Sequence, residues 1–200
     1  MPDEAVPHTF TTAEKRQLLD IARQSITAAV NRKPLPEIHL DALPEALRQP
    51  AACFVTLHIG SALRGCTGNL VAQRPLAEEV ALTAVQTAFR DPRFLPVTAE
   101  EIPLLDIEIS VLTPPQPLHY TSPEDLIAQL HPGLDGVTLR WGGHRATFLP
   151  QVWERVPDPN SFLDMLCQKM GLPAQSWRNC HMDVETYRSI AWSEAELAGK

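Results

Sequence analysis

The segment Leu63 to Leu70, LRGCTGNL, sets Cys66 between Gly65 and Gly68 and two residues after Arg64. A thiolate is a strong nucleophile and metal ligand once a neighbouring cation or free amide N–H groups hold its charge, and Arg64 and a glycine-rich backbone can supply both. Gly65 and Gly68 would then let a ligand or another backbone approach closely. The competing explanation is structural. Small residues end a strand and turn the chain, and the cysteine packs as a compact hydrophobe. These eight residues support either reading.

A second cluster is FRDPRF, in which Asp91 and Arg93 flank Pro92. The proline stiffens the loop and could hold both side chains toward a ligand at low entropic cost. Equally, Asp91 can accept backbone hydrogen bonds at the turn while Arg93 pairs with a carboxylate. Glu108 and Asp106 fall on the polar face of the alternating run LLDIEISVL. They are acid or base groups if something covers that face, and ordinary solvated residues if nothing does. The histidines are dispersed, with no H-x-H, H-E-x-x-H or H-x-x-x-H spacing, and Cys180 and His181 are adjacent, so in a strand they point to opposite faces. No metal site is read. Phosphate-loop, dinucleotide-binding and nucleophile-elbow glycine patterns are also missing from the sequence.

The elements that must position these residues follow from periodicity. TTAEKRQLLDIARQSITAAVNRK has capping-box spacing at Thr11 and Glu14 and an apolar stripe through Leu18, Ala22, Ile26, Ala29 and Val30, which predicts an amphipathic helix. ACFVTLHIGSALRGCTGNL predicts two strands joined by a tight turn at Gly60-Ser61, with Cys66 far along the second. Pro75 opens a helix reaching about Phe89, and Pro92 keeps Asp91 out of the helical region. Thr98 and Glu101 predict a short helical turn before the strand that carries Glu108. Beyond it come a helix capped by Ser122-Pro123, a hairpin about Gly142-Gly143, a helix stopped by Gly171, one closing strand in CHMDVETYRSIAW and a frayed tail, SEAELAGK. Strands paired as hairpins with interspersed helices predict an α+β fold with mainly antiparallel sheet.

The totals narrow the function classes. Two hundred residues suit one domain with a real core, and 19 prolines scattered along the chain punctuate short elements. The net charge is −7, with no long basic run, which argues against nucleic acid as a partner. No segment is apolar for long enough to span a membrane, and the N-terminal residues lack a signal-peptide pattern, so a cytoplasmic protein is expected. Its four cysteines have no C-x-x-C spacing and are expected to be reduced.

Four stretches in order, FVTLHIGSALRGCTGNL, FRDPRFLPVTAEEIPLLDIEISVLTPP, GLDGVTLRWGGHRATFLPQVW and FLDMLCQKMGLPAQSW, resemble the AMMECR domain family, that of AmmeMemoRadiSam system protein A. The resemblance runs from about Phe10 to Ala191 and implies a single AMMECR-type domain over residues 1–200, with a larger and a smaller lobe forming a cleft near the LRGC segment. Thr67 stands where the family has isoleucine or valine, Asp135 where tyrosine is common and Met170 where alanine is common. Residues matching the family are Arg64, Gly65, Cys66, Gly68, Asp91, Arg93, Glu108, Pro150, Gln151 and Lys169. The resemblance implies partners, a Memo-like protein and a radical S-adenosylmethionine enzyme, but no settled reaction and no cofactor. The expectation is an enzyme or substrate-handling component acting on a small molecule or peptide. Cys66, Arg64, Asp91 and Glu108 would be its catalytic residues, and Gly65, Gly68, Arg93, Gln151 and Lys169 its ligand contacts. The alternative is a noncatalytic binding or scaffold partner in the same system.

Overall fold

The computed structural model describes residues 9–199, which divide into two compact units: 9–112 with 190–199, and Thr113–Ser189. The fold is α+β, with two antiparallel four-stranded sheets.

In the first unit, α1 (Thr12–Val30) begins at the expected capping box, with Thr11 Oγ1 accepting from Glu14 N and the Glu14 carboxylate accepting from Thr11 N. Its buried face includes Leu18, Ala22 and Ile26. A short helix, α2 (Glu45–Arg48), interrupts the proline-rich connector. Strands β1 (Cys53–Ile59) and β2 (Ala62–Gly68) meet at Gly60, whose φ of 59° is the left-handed conformation that the tight turn needs. Helix α3 (Leu76–Arg90) and strand β3 (Leu105–Leu112) follow, and the sheet order is β2-β1-β3-β8, where β8 is Ser189–Ser193. One face of this sheet carries Cys53, Val55, Leu57, Ile107 and Ile109 into a core shared with Leu18, Ala22, Leu76, Val80 and Ala84. Each buried aliphatic side chain of this kind contributes about 1.5–3 kcal/mol relative to exposure.

Within that core Ser25 is fully buried, and its Oγ has no hydrogen-bond partner among the described residues. An unsatisfied buried hydroxyl costs about 1–3 kcal/mol, and alanine is the better helix former. Ser25→Ala is therefore expected to raise the unfolding free energy by about 1 kcal/mol in a urea titration. A drop would mean that the hydroxyl has a partner.

The second unit contains β4 (Gln116–Leu118), α4 (Pro123–Gln129), β5 (Gly136–Trp141), β6 (His144–Phe148), α5 (Pro159–Lys169), α6 (Ser176–Asn179) and β7 (Asp183–Tyr187), with sheet order β4-β7-β5-β6. Its core centres on Trp153 stacked against Phe162 with ring centroids 3.7 Å apart, joined by Leu139, Leu163, Leu166, Trp177 and Val184.

Two expectations from the C-terminal sequence are corrected. The alternating run from Cys180 to Trp192 is two strands, because the chain leaves one sheet after Tyr187 and enters the other at Ser189. Arg188, at the break, bonds Thr113 in both directions at 2.8 Å, which pins the outgoing and returning chain together. The tail is anchored rather than frayed. Ser193 caps α7 (Glu194–Leu197), Arg23 donates to both carboxylate oxygens of Glu194, and Asp106 Oδ1 accepts from Ala195 N at 2.9 Å.

Candidate functional site

Cys66 lies on β2, the edge strand of the first sheet, and LRGCTG is strand rather than turn. An edge strand presents N–H and C=O groups that have no neighbouring strand to pair with. At Cys66 an ion pair takes that place. Cys66 N donates to Asp91 Oδ2 at 2.9 Å, and Arg93 Nη2 donates to Cys66 O at 3.1 Å. Arg93 also donates to Asp91 from Nε at 2.9 Å, from Nη2 at 2.7 Å and from its own backbone N at 3.1 Å. The two side chains thus present one acceptor and one donor to a single strand residue, as a paired β residue would.

The local sequence produces this arrangement directly. Helix α3 ends at Arg90, Pro92 holds Asp91 extended at φ −71° and ψ 112°, and the carboxylate therefore leaves the helix axis toward β2. Asp91 is only 4% exposed. Its hydrogen bond from the Arg93 side chain outweighs desolvation, and with help from the Cys66 and Arg93 amides it holds the carboxyl well below the usual carboxylate range. Arg93 is raised in turn, chiefly by Asp91, with a smaller electrostatic contribution from Cys66. Of the two readings of FRDPRF, the geometry is that of backbone acceptance by Asp91 and carboxylate pairing by Arg93.

Arg64 sits at a β-bulge. Leu57 pairs with Gly65 and His58 with Leu63, so Arg64 is the extra residue of its strand. Its guanidinium is bound to Glu101 at 2.7 and 3.0 Å and to Leu95 O at 2.9 Å, with no bond to the Cys66 sulfur. Glu101 also accepts from Thr98 N at 2.8 Å, so the carboxylate at the expected helical turn is the anchor for Arg64. That guanidinium is the main reason the Glu101 carboxyl lies below its usual range. The guanidinium carbons of Arg64 and Arg93 lie 5.9 and 5.5 Å from the centroid of the Phe94 ring.

The bulge also decides which way Cys66 faces. Counting back from the turn without it would place Cys66 opposite Val55, on the face packed against the helices. With it, Cys66 pairs with Thr56 and shares the other face. Thr56 Oγ1 donates to Cys66 Sγ at 3.3 Å, and Thr56 is also the register partner of Glu108 on β3. Cys66, Thr56 and Glu108 therefore form one row across three strands, all partly buried. The next row pairs His58 with Asp106.

The glycines are explained by close packing. A Cβ on Gly65 would lie 3.1 Å from Thr87 Cγ2 and from Thr87 O, on the side facing α3. A Cβ on Gly68 would lie 2.4 Å from Cys53 O and 2.4 Å from Phe54 Cγ. Thr67, in the aliphatic position of the resemblance, bonds the Thr87 hydroxyl at 2.7 Å, which satisfies a polar group on the helix-facing side. Gln151 and Lys169 belong to the second unit. Gln151 is exposed in the short turn Pro150–Glu154, while Lys169 Nζ donates to Thr147 O at 2.9 Å and lies 4.9 Å from the Phe148 ring centroid.

The sequence alone does not single out Thr56 as the neighbour of Cys66 or Glu101 as the partner of Arg64. Thr56 was open to discovery through its place in the hairpin register, but only with the bulge known. Among the described residues no group of three His, Cys, Asp or Glu side chains is arranged to hold a metal, and no helix is long and apolar enough to cross a membrane.

The AMMECR1 family profile matches residues 19–192, a span that takes in all of the second unit and most of the first. The chain belongs to the AMMECR1 family. An AMMECR1 relative from Methanothermobacter thermautotrophicus is 39% identical over 174 residues, covering 86% of this chain and 88% of its own length. Protein MJ0810 of Methanocaldococcus jannaschii is 34% identical over 167 residues, covering 82% and 83%. The crystal structure of the uncharacterized protein PH0010 from Pyrococcus horikoshii is similar to this chain with a TM-score of 0.76 at 32% identity, covering 88% of this chain and 89% of the other. AMMECR1 is a family of undefined function, so the chemistry must be argued from the site itself.

Proposed function

We propose that this AMMECR1 chain is an enzyme, or the substrate-handling component of one, in which Cys66 is the nucleophile or transient covalent carrier for a small molecule or peptide. One observation carries the reading. The Cys66 sulfur sits on the polar sheet face with a hydroxyl donor at 3.3 Å, while the peptide groups that fix its position are held by Asp91 and Arg93. Pre-organisation of this kind is what covalent catalysis requires of a nucleophile. Glu108, in register beyond Thr56, is the carboxylate suited to accept a proton during turnover. Asp91, held as an anion by its bonds, acts as a brace. Arg93 has a side chain 54% exposed and is the guanidinium that can meet an anionic substrate group, whereas Arg64 shapes the bulge through Glu101. The partners in this reading are the Memo-like protein and the radical S-adenosylmethionine enzyme implied by the family resemblance. Its compartment is the cytoplasm, in keeping with four free thiols.

Cys180 is also free and partly buried, and so serves as an internal reference. Iodoacetamide labelling of the native chain, read by peptide mass spectrometry, is expected to modify Cys66 at least tenfold faster than Cys180 near neutral pH. Equal rates would remove the basis for a nucleophilic role.

A second reading, a noncatalytic partner in the same system, is favoured by the fact that Asp91, Arg93, Arg64 and Glu101 all bond within the chain. It expects Cys66→Ser to leave co-purification with a Memo-like protein intact. The nucleophile reading expects the same variant to abolish turnover.

A further inference from the structure

We infer that Thr56 is the positioning residue for Cys66, its hydroxyl donating a hydrogen bond to the sulfur; this rests on the reading of Cys66 as a nucleophile. The contact is direct, with Thr56 Oγ1 to Cys66 Sγ at 3.3 Å. It is also built in, because the bulge at Arg64 brings Cys66 opposite Thr56 and the Asp91–Arg93 pair fixes the Cys66 peptide on its other side. A threonine side chain on a strand has few χ1 choices, so the hydroxyl is held at little entropic cost. The bond therefore fixes the direction of the sulfur on the polar face of the sheet.

The hydroxyl has one proton and two register neighbours, the sulfur on β2 and Glu108 on β3. The charged and titratable groups around this row are Arg64, turned to Glu101, on β2; Asp91 and Arg93, on the Cys66 amide and carbonyl, after α3; His58 on β1; and Asp106 and Glu108 on β3. Thiolate formation here is simple proton loss: the S–H bond breaks, the proton goes to solvent, and the Thr56 O–H remains intact as the donor to sulfur.

The test is the second-order rate of iodoacetamide labelling at Cys66, followed from pH 5 to 10 in the full chain. Thr56→Val keeps β-branching and size but removes the hydroxyl. Thr56→Ser keeps the hydroxyl. Thr56→Val is expected to label about tenfold more slowly than wild type near neutral pH, while Thr56→Ser stays within about threefold of wild type. A reactive Cys66 that is indifferent to Thr56→Val, or a Thr56→Ser variant as slow as Thr56→Val, overturns this inference alone. A wild-type Cys66 no faster than Cys180 overturns the functional reading and this inference with it. Thermal unfolding of each variant separates a lost donor from a lost fold.

Discussion

Replacing Asp91 with asparagine is expected to lower the unfolding free energy by about 2–3 kcal/mol at neutral pH. Breaking a buried ion pair commonly costs about 3–5 kcal/mol, and the half-exposed Arg93, which water can solvate once released, reduces that figure. The amide side chain of asparagine also turns an N–H group toward donors on Cys66 or Arg93, where the carboxylate accepts from both. The pH dependence has a definite sign. The folded-state pKa of Asp91 is depressed, so its contribution is complete above the unfolded-state value of about 4 and is lost as pH falls through the folded value. The gap between wild type and Asp91→Asn in urea should therefore be widest at neutral pH and narrow below about pH 4. A variant that unfolds with wild type at pH 7 would mean that the ion pair contributes nothing to the edge of the sheet. In the same variant Cys66 is expected to lose its labelling advantage over Cys180, because its peptide is no longer fixed on the outer side.

Gly68→Ala is expected to be as damaging, at about 3 kcal/mol, and for a steric reason. The added carbon would meet the Cys53 carbonyl oxygen, which is backbone and cannot swing away, as well as the Phe54 ring. Gly65→Ala meets Thr87 at 3.1 Å, a contact that a small shift relieves, so its cost should be nearer 1 kcal/mol. Unfolding midpoints for the two variants provide the comparison. If Gly65→Ala proves the worse, the packing account of the motif fails, and a ligand-contact role for these glycines regains its force.

What could be read in advance was whatever lies within a dozen residues. The helix cap at Thr11, the turn at Gly60 and the break imposed on Asp91 by Pro92 all depend on neighbours in the chain, and all appear where expected. The contacts of Asp91 with Cys66 and of Arg64 with Glu101 are different in kind. Cys66 and Asp91 are 25 residues apart, Arg64 and Glu101 are 37 apart, and no local rule pairs one arginine with one carboxylate among many. The bulge is subtler still, since one unpaired residue exchanges the two faces of a strand without leaving any trace in its composition. The break in the C-terminal run is hidden for a similar reason. Alternation reports that residues 183–193 are extended, and it is silent about which sheet each part joins. The tail reads as loose in the sequence because its anchors, Arg23 and Asp106, lie 171 and 89 residues away.

The chain interrupts its first unit at Leu112 and resumes it at Ile190. During synthesis the intervening segment therefore has all of its own residues before its host does, and a polypeptide released from the ribosome short of β8 and α7 would carry one finished body and one open sheet edge at β3. Truncations near the C-terminus, though remote from Cys66 in sequence, should for this reason harm the site more than losses of equal length inside the segment Thr113–Ser189.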